Sequence, residues 1–401
     1  MAAVTVGWLL VAAAVLLDVP AAVFLVECLA ALVPGGRRPP RPDARQPRVA
    51  LVVPAHDEQA GIAATVTDLR AQLDPETRLI VVADNCSDGT AAVARAAGAT
   101  VIERADADRR GKGFAIVFAL DHLTPDPPDV VILVDADCRV SDGGLRALAR
   151  LAAETGRPVQ GEYVLTAPER PTPLSVISAL AVLVRNRVRP RGLARLGLPC
   201  QLTGSGMAFP WRLLREAPET GANLVEDLVM GLELALAGTP ALACPEVTIR
   251  SELPDRDHAA VGQRRRWEHG QMATALRYGP RLLGRGLFTA RLDLLALALD
   301  LMVPPLALFV TLLALATILA VVAAGLGASW LAVQLLAGGF AAVGLAVLTS
   351  WVKFARHTLP LRYLLGIPFY LAWKLPLYIA FFLRRRQGSW ERTRRRGEGD
   401  R

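Results

Sequence analysis

Cysteine is scarce in this 401-residue chain and never patterned: Cys28, Cys86, Cys138, Cys200 and Cys244 are odd in number and form no CxxC pair. That spacing argues against a disulfide framework and against a zinc site, and a reducing, cytoplasmic setting for the soluble part fits best. Charge is also short: 20% of residues are charged and 53% are hydrophobic, against about 25% charged in an ordinary soluble domain. A mean hydropathy of +0.35 makes a wholly soluble protein an unsuitable reading. Internal repeats, heptad arrays and low-complexity tracts are missing as well, so solenoids and coiled coils are set aside. The opening MAAVTVGWLL has no basic residue before its apolar run, and arginines follow it instead. This is the reverse of a secretory signal peptide.

What the chain does have is apolar length. Stretches near 3–33, 292–325, 328–352 and 363–383 each approach the length that crosses a bilayer. The net charge of +8 belongs to the flanks of these stretches. Residues 34–48 hold five arginines against Asp43 (+4), and residues 384–401 hold eight against three acids (+5), so the remainder is close to −1. Basic excess placed there sets topology and meets anionic lipid; it forms no stripe for nucleic acid, and no nucleic-acid partner is expected. The same rule puts both basic flanks on the cytoplasmic side of a multi-pass protein in the cell membrane. The last stretch carries Lys374, Pro368 and Pro376 among aromatics and is expected to be interfacial or re-entrant. Asp18 and Glu27 lie within the first stretch, where charge is costly in lipid and should face protein or the interface.

Between residues 48 and about 255 the apolar runs shorten and alternate with helical periodicity, the mark of an α/β domain. Strands are expected at 48–54, 78–84, 100–104 and 130–135, and helices at 59–73, 88–97 and 112–123. A parallel sheet with short crossovers follows from that alternation. Residues 172–184 are apolar but too short to span, and are expected to form a core or interfacial helix.

Ligands of open α/β sheets sit beyond the carboxyl ends of the strands, and these ends are rich in acids: Pro54-Ala55-His56-Asp57-Glu58, then Asp84-Asn85-Cys86-Ser87-Asp88-Gly89, then Asp135-Ala136-Asp137. Clustered carboxylates repel unless protons, basic groups or a divalent cation neutralise them. Asp135-x-Asp137 fits either a cation bridging to a diphosphate or a turn that caps the next helix. An EF-hand is excluded because Arg139 stands at a ligand position. Arg109-Arg110-Gly111-Lys112-Gly113 fits a phosphate contact at a helix start or a solvated turn, and it is not a P-loop. Thr203-Gly204-Ser205-Gly206-Met207 allows close backbone approach to a ligand, or is simply a tight turn. Glu226-Asp227 opens an apolar-periodic segment, as a helix cap or as a general base. Gln263-Arg264-Arg265-Arg266-Trp267 aligns Gln263, Arg266 and Trp267 on one helical face. That face suits a diphosphate and a sugar ring, or equally a basic helix on a membrane surface.

The order of these motifs, PAHDE, DNCSDGT, GKG, DAD, TGSGMAF, ED and QRRRW followed by membrane helices, resembles a membrane-bound family 2 glycosyltransferase of the type that includes cellulose, chitin and hyaluronan synthases. The resemblance covers about residues 48–270 and the membrane arrangement. It implies a Rossmann-like GT-A α/β domain over 48–290 with interfacial helices. Around it would stand an N-terminal transmembrane helix (1–34), a basic cytoplasmic linker (35–47), C-terminal transmembrane or interfacial helices (291–383) and a basic cytoplasmic tail (384–401). It also implies an inverting enzyme that moves a hexose or N-acetylhexosamine from a UDP-sugar, with Mg²⁺ or Mn²⁺, to a polysaccharide or lipid-linked acceptor. An oligomer is compatible with the small number of spanning helices.

Carried onto this chain, Pro54, Ala55, Asp57, Glu58, Asp84, Lys112 and Asp135 would bind the donor, with Gln263 and Arg266 closing over its diphosphate. Asp137, with Asp135, would hold the metal. Asp227 would be the catalytic base and Arg266 its electrostatic partner, while Gly204, Ser205, Gly206, Glu226 and Trp267 would meet the acceptor. The pattern departs from the family at Asp57, where Asn is common, at DNCSDGT, and at Pro210-Trp211-Arg212, which lacks the usual basic pair. The competing reading is a non-enzymatic membrane scaffold or transport component on a degenerate transferase domain. Asp135, Asp137, Asp227 and Arg266 all being present count against it.

Overall fold

The computed structural model describes residues 2–35, 46–166, 172–217, 225–252 and 257–384, with backbone alone at 2–3, 257–266, 365 and 381–384. Along the chain run α1 (Ala2–Ala30), β1 (Val49–Ala55), α2 (Ile62–Arg70), β2 (Arg78–Asp84), α3 (Thr90–Ala96), β3 (Thr100–Arg104), α4 (Lys112–Leu123) and β4 (Val130–Leu133). Then come β5 (Arg139–Val140), α5 (Gly144–Thr155), β6 (Val159–Thr166), α6 (Pro173–Leu183), α7 (Arg189–Arg195), β7 (Met207–Pro210), α8 (Trp211–Glu216), α9 (Glu226–Leu236) and β8 (Leu242–Glu252). The chain continues through α10 (Asp257–Phe288), α11 (Leu292–Met302), α12 (Leu306–Gly325), α13 (Leu331–Ser350) and α14 (Ile367–Arg384). Two compact units result, one α/β and one of apolar helices.

In the α/β unit eight strands form one sheet in the order β3-β2-β1-β4-β7-β6-β8-β5. The first four strands are parallel, with Val52 opposite both Ile80 and Leu133. They are continuous apolar runs, and Ala50, Leu51, Val52 and Val53 are wholly buried, as a central strand covered on both faces requires. The expectation of an all-parallel sheet is corrected here, because β7 runs antiparallel to both β4 and β6, and β5 runs antiparallel to β8. β7 starts directly after the Gly204–Gly206 turn, so it approaches β4 from the carboxyl end of that strand. The result is a mixed α/β, Rossmann-like sheet of the GT-A kind.

The helical unit comprises Met1–Pro34, Arg170–Leu196 and Met272–Gln387. Three of its helices, Val4–Ala30, Leu306–Gly325 and Leu331–Ala355, are long and apolar enough to cross a membrane. The apolar stretch at 292–325 is broken at Pro304-Pro305 into α11 and α12, since a proline pair cannot continue a helix. Phe24, Cys28, Phe309, Leu313, Leu336 and Val343 pack together in its core. Within it Arg189 is 4% exposed and donates to Glu27 at 2.6 Å and to Asp300 at 2.5 Å. Its guanidinium also reaches the Asp300 carbonyl at 2.6 Å. A side chain at Gly192 would collide with the Glu27 carbonyl, so the backbones of α1 and α7 touch at that point. The segment at 172–184 is a helix of this unit that runs through one π turn (Val184–Val188) into α7. In α14, Lys374 is buried with its ammonium over the rings of Tyr370 (5.6 Å) and Trp373 (5.8 Å).

Candidate active site

β1 ends in Pro54-Ala55 and turns through Asp57, a non-glycine residue at φ +51°. Its carboxylate pins that conformation by accepting from the Ser87 backbone N–H at 2.6 Å and from the Ser87 hydroxyl at 3.1 Å. The Glu58 N–H donates to Thr90 Oγ1 (2.7 Å), the Gln59 N–H to Asp88 (3.1 Å), and the Gly89 N–H to Gln59 Oε1 (2.8 Å). The loops after β1 and β2 are thus laced into one rim. Asp84 closes β2 and is buried; its Oδ1 accepts from Arg104 at 2.6 Å and from Asn85 at 3.0 Å. Arg104 also reaches Asp106 at 3.0 Å and lies over the Phe114 ring. Sequence reasoning missed this arginine, because it reads as the last residue of an edge strand.

The end of β4 forms the second half. Leu133 hands over to Val134 and then Asp135-Ala136-Asp137. The Asp135 N–H donates to the Ser205 hydroxyl at 3.0 Å, and the Asp135 carboxylate is ion-paired with Lys112. Lys112 begins α4 and also donates to the Gly204 carbonyl at 2.6 Å. Asp137 accepts from the Ser251 hydroxyl at 2.7 Å and from the Cys138 thiol at 3.4 Å.

The Gly204–Gly206 turn is held by buried Gln160, whose amide donates to the Ser205 carbonyl at 2.8 Å while its Oε1 accepts the Thr203 N–H at 2.8 Å. Both glycines have positive φ, +93° and +68°, and a side chain at Gly206 would collide with Ile249. Ser205 is wholly buried. The expectation that it touches the acceptor is therefore corrected: its hydroxyl braces Asp135 from inside. Gln160 and Ser251 escaped sequence reading because β6 and β8 show no signal that ties them to residues 40 to 115 positions away.

Glu226 and Asp227 open α9. A Cβ placed on Gly204 would lie 3.2 Å from Asp227 Oδ2 and 3.9 Å from Lys112 Nζ, so Asp227, Lys112 and the glycine turn converge. Burial and then the neighbouring Asp227 charge push the Glu226 carboxyl up to about 7. Burial raises Asp135 as well, with Lys112 opposing and Asp137 adding to the shift. The neighbouring carboxylates hold the Lys112 ammonium above its ordinary value in spite of burial. A pocket opens on Lys112, Glu226 and Asp227 from the side of α4 and α9.

Ligand atoms of Asp135, Asp137 and Cys138 lie within 4.8 Å of one another. Two half-buried carboxylates suit a hard divalent cation. The Cys138 thiol, driven well above its usual range by burial, stays protonated beside them. A second group, Asp57, Cys86 and Asp88, has oxygens engaged by Ser87, Thr90 and Gln59 and serves the loop.

Trp267 is half-buried on α10, three residues before Gly270, where a side chain would meet Val225 at 2.7 Å. Helix α10 therefore borders the turn into Glu226. The side chains of Gln263 and Arg266 lie outside the described residues.

A family described as "Glycosyltransferase like family 2" matches residues 47–270. No curated protein sequence matches the chain. Among solved structures, a mannosyltransferase of Pyrobaculum calidifontis in complex with GDP-Man and Mn²⁺ superposes with a TM-score of 0.54 at 19% identity, covering 94% of this chain and 100% of that one. At that identity the similarity speaks to the fold. Glucosyl-3-phosphoglycerate synthase of Mycobacterium tuberculosis, in complex with Mn²⁺, UDP and phosphoglyceric acid, aligns over 55% of this chain and 76% of its own at 22% identity, with a TM-score of 0.37.

Proposed function

The chain belongs to the glycosyltransferase-like family 2, matched over more than half its length, and from that premise we propose that it is an inverting transferase working at the cytoplasmic face of the cell membrane. Its donor is a UDP-linked hexose or N-acetylhexosamine, and its acceptor a polysaccharide end or a lipid-linked molecule. The observation that carries the reading is the convergence of Asp135, Lys112 and Asp227 on the Gly204 turn. This arrangement sets a diphosphate-binding edge beside a carboxylate base.

The donor's nucleotide lies along the rim formed by Pro54, Ala55, Asp57, Glu58 and Asp84. Mg²⁺ or Mn²⁺, held by Asp137 with Asp135, supplies positive charge to the departing diphosphate when bound. Lys112, released from Asp135, turns its ammonium to the same phosphate oxygens, and Arg266 and Gln263 approach them from α10. Asp227 accepts the proton of the acceptor hydroxyl while its oxygen attacks the anomeric carbon in line. Glu226, carrying a proton near neutral pH, spares Asp227 a second adjacent negative charge. A single base opposite a leaving group on one sugar face gives inversion. The Gly204 and Gly206 backbone and Trp267 border the acceptor's approach. The likeness in motif order to cellulose, chitin and hyaluronan synthases favours a polysaccharide end, and the small number of candidate spans favours single addition or an oligomer.

The test is nucleotide release by the purified chain in lipid, with Mn²⁺ or Mg²⁺, across UDP- and GDP-sugars and with Asp227→Asn as control. Release with one sugar, dependent on the cation and abolished in the variant, is expected. A folded protein that binds no nucleotide sugar would sink the reading.

A further inference from the structure

The pocket beside Asp227 has a composition that bears on the acceptor. Its walls are Ile116, Val117 and Leu120 of α4, Met207 of β7, Leu214 of α8 and Met230 of α9. The three α4 residues lie on one helical face by their spacing, and Met207, Leu214 and Met230 are buried behind them. The charged groups at its mouth are Lys112, Glu226 and Asp227. Lys112 already faces Asp135 and the Gly204 carbonyl, and the two acids stand at the reacting hydroxyl. Among the described residues no aromatic ring lines this pocket.

A sugar end is recognised differently. Its C–H face stacks on an aromatic ring, and each hydroxyl around the nucleophile needs a fixed hydrogen-bonding partner. Against a wall of methyl, methylene and thioether groups those hydroxyls would lose water and gain nothing. An alcohol carried on an apolar skeleton meets both halves of the pocket: its hydroxyl lies at Asp227 and its carbons lie against Ile116, Val117 and Leu120. Three helices of the chain are long and apolar enough to cross a membrane, and a bilayer is where amphiphilic alcohols concentrate.

We infer that the acceptor is an amphiphilic alcohol whose nucleophilic hydroxyl sits within a few carbons of an apolar chain or ring, and not the sugar hydroxyl of a polysaccharide end. This rests on the transferase reading with Asp227 as base. In the step the alcohol O–H gives its proton to the Asp227 carboxylate and its oxygen bonds to the anomeric carbon. The bond from that carbon to the diphosphate oxygen breaks, and its electron pair leaves with the nucleoside diphosphate. The products are a glycoside of the alcohol and a nucleoside diphosphate, and Asp227 returns its proton to solvent.

The experiment uses the full chain in lipid nanodiscs with Mn²⁺ and a panel of nucleotide sugars. It offers dodecanol, dioctanoylglycerol and farnesol beside cellobiose and chitobiose, and reads nucleotide release and glycoside product separately. Transfer to at least one of the three alcohols and to neither disaccharide is expected, and which alcohol reacts separates linear, glyceride and isoprenoid skeletons. Val117 is half-buried at the pocket wall, and Val117→Trp should shift preference toward shorter alcohols and raise their KM about tenfold. Val117→Leu, a gentler filling, should move preference the same way by less. Transfer to the disaccharides with the alcohols refused, or an unaltered chain-length preference in both variants, overturns the inference and leaves the transferase standing. A folded protein that releases no nucleotide from any donor with any acceptor removes both.

Discussion

The two units hold their charges in opposite ways. In the helical unit Arg189 lies between Glu27 and Asp300, all three side chains 3–5% exposed and bonded to one another. In the α/β unit Lys112 faces four carboxylates, Asp135, Asp137, Glu226 and Asp227, all half-buried and set around a pocket mouth or a strand end. The first arrangement is closed, with each charge matched and water excluded. The second has a surplus of negative charge that raises its own pKa values and calls for a cation and a phosphate-bearing partner. Identical residue types build a fastening in one place and a reaction site in the other, and the difference lies in unmatched charge and access.

The sharpest way to break this contrast is to remove one member from each set. Asp227→Asn is expected to lower sugar transfer about 10²–10⁴-fold, the usual worth of a positioned base, with thermal unfolding unchanged. Steady-state product formation and a melting curve check it together. Arg189→Ala should do the reverse. Stranding two buried carboxylates costs about 3–5 kcal/mol of stability, visible as a lowered unfolding midpoint in detergent, while donor affinity in the surviving folded fraction stays put. If Arg189→Ala abolished donor binding in folded protein, the closed set would have to be counted as part of the site.

Ser251→Ala sharpens the second half of the comparison. Losing the hydroxyl that holds Asp137 at 2.7 Å should weaken Mn²⁺ binding about tenfold, as read by calorimetry. The smallest effect is in pH. Glu226 rises from an ordinary 4.5 to about 7 in the folded chain, so its contribution to stability is complete below about 4.5 and disappears as pH climbs through about 7. Thermal unfolding with chelator present should show Glu226→Gln more stable than the parent at pH 8, with that advantage gone by pH 4.5.

Much of the parallel half was legible. β1 to β4 are unbroken apolar runs that stop at acids, and the helices between them start at glycines or at Thr90, so period and punctuation agreed. The antiparallel half was not. β5 has two residues and β7 four, too few to show a period, while β8 carries Pro245 and its pairing with β6 has a register shift. Asp135, Asp137, Lys112 and Asp227 announced themselves as chemistry-bearing types at strand or helix ends. Ser205 was named for the wrong duty, because a serine between two glycines reads as exposed turn until the sheet is seen to swallow it. Gln160 and Ser251 act across separations of 45 and 114 residues, and only the folded sheet brings them near.

The Glu27–Arg189–Asp300 fastening also has a consequence in time. Glu27 is made 162 residues before its guanidinium partner, and Asp300 follows Arg189 by another 111. At about 5–20 residues per second of synthesis, the first helix waits roughly ten to thirty seconds with a carboxylate near its end and no counter-ion. During that interval α1 is an apolar segment with a polar foot, held at the bilayer edge by its own acid. The last carboxylate to emerge completes the lock, so a nascent chain arrested before residue 189 should stay extractable by alkali, and one arrested well beyond residue 300 should not.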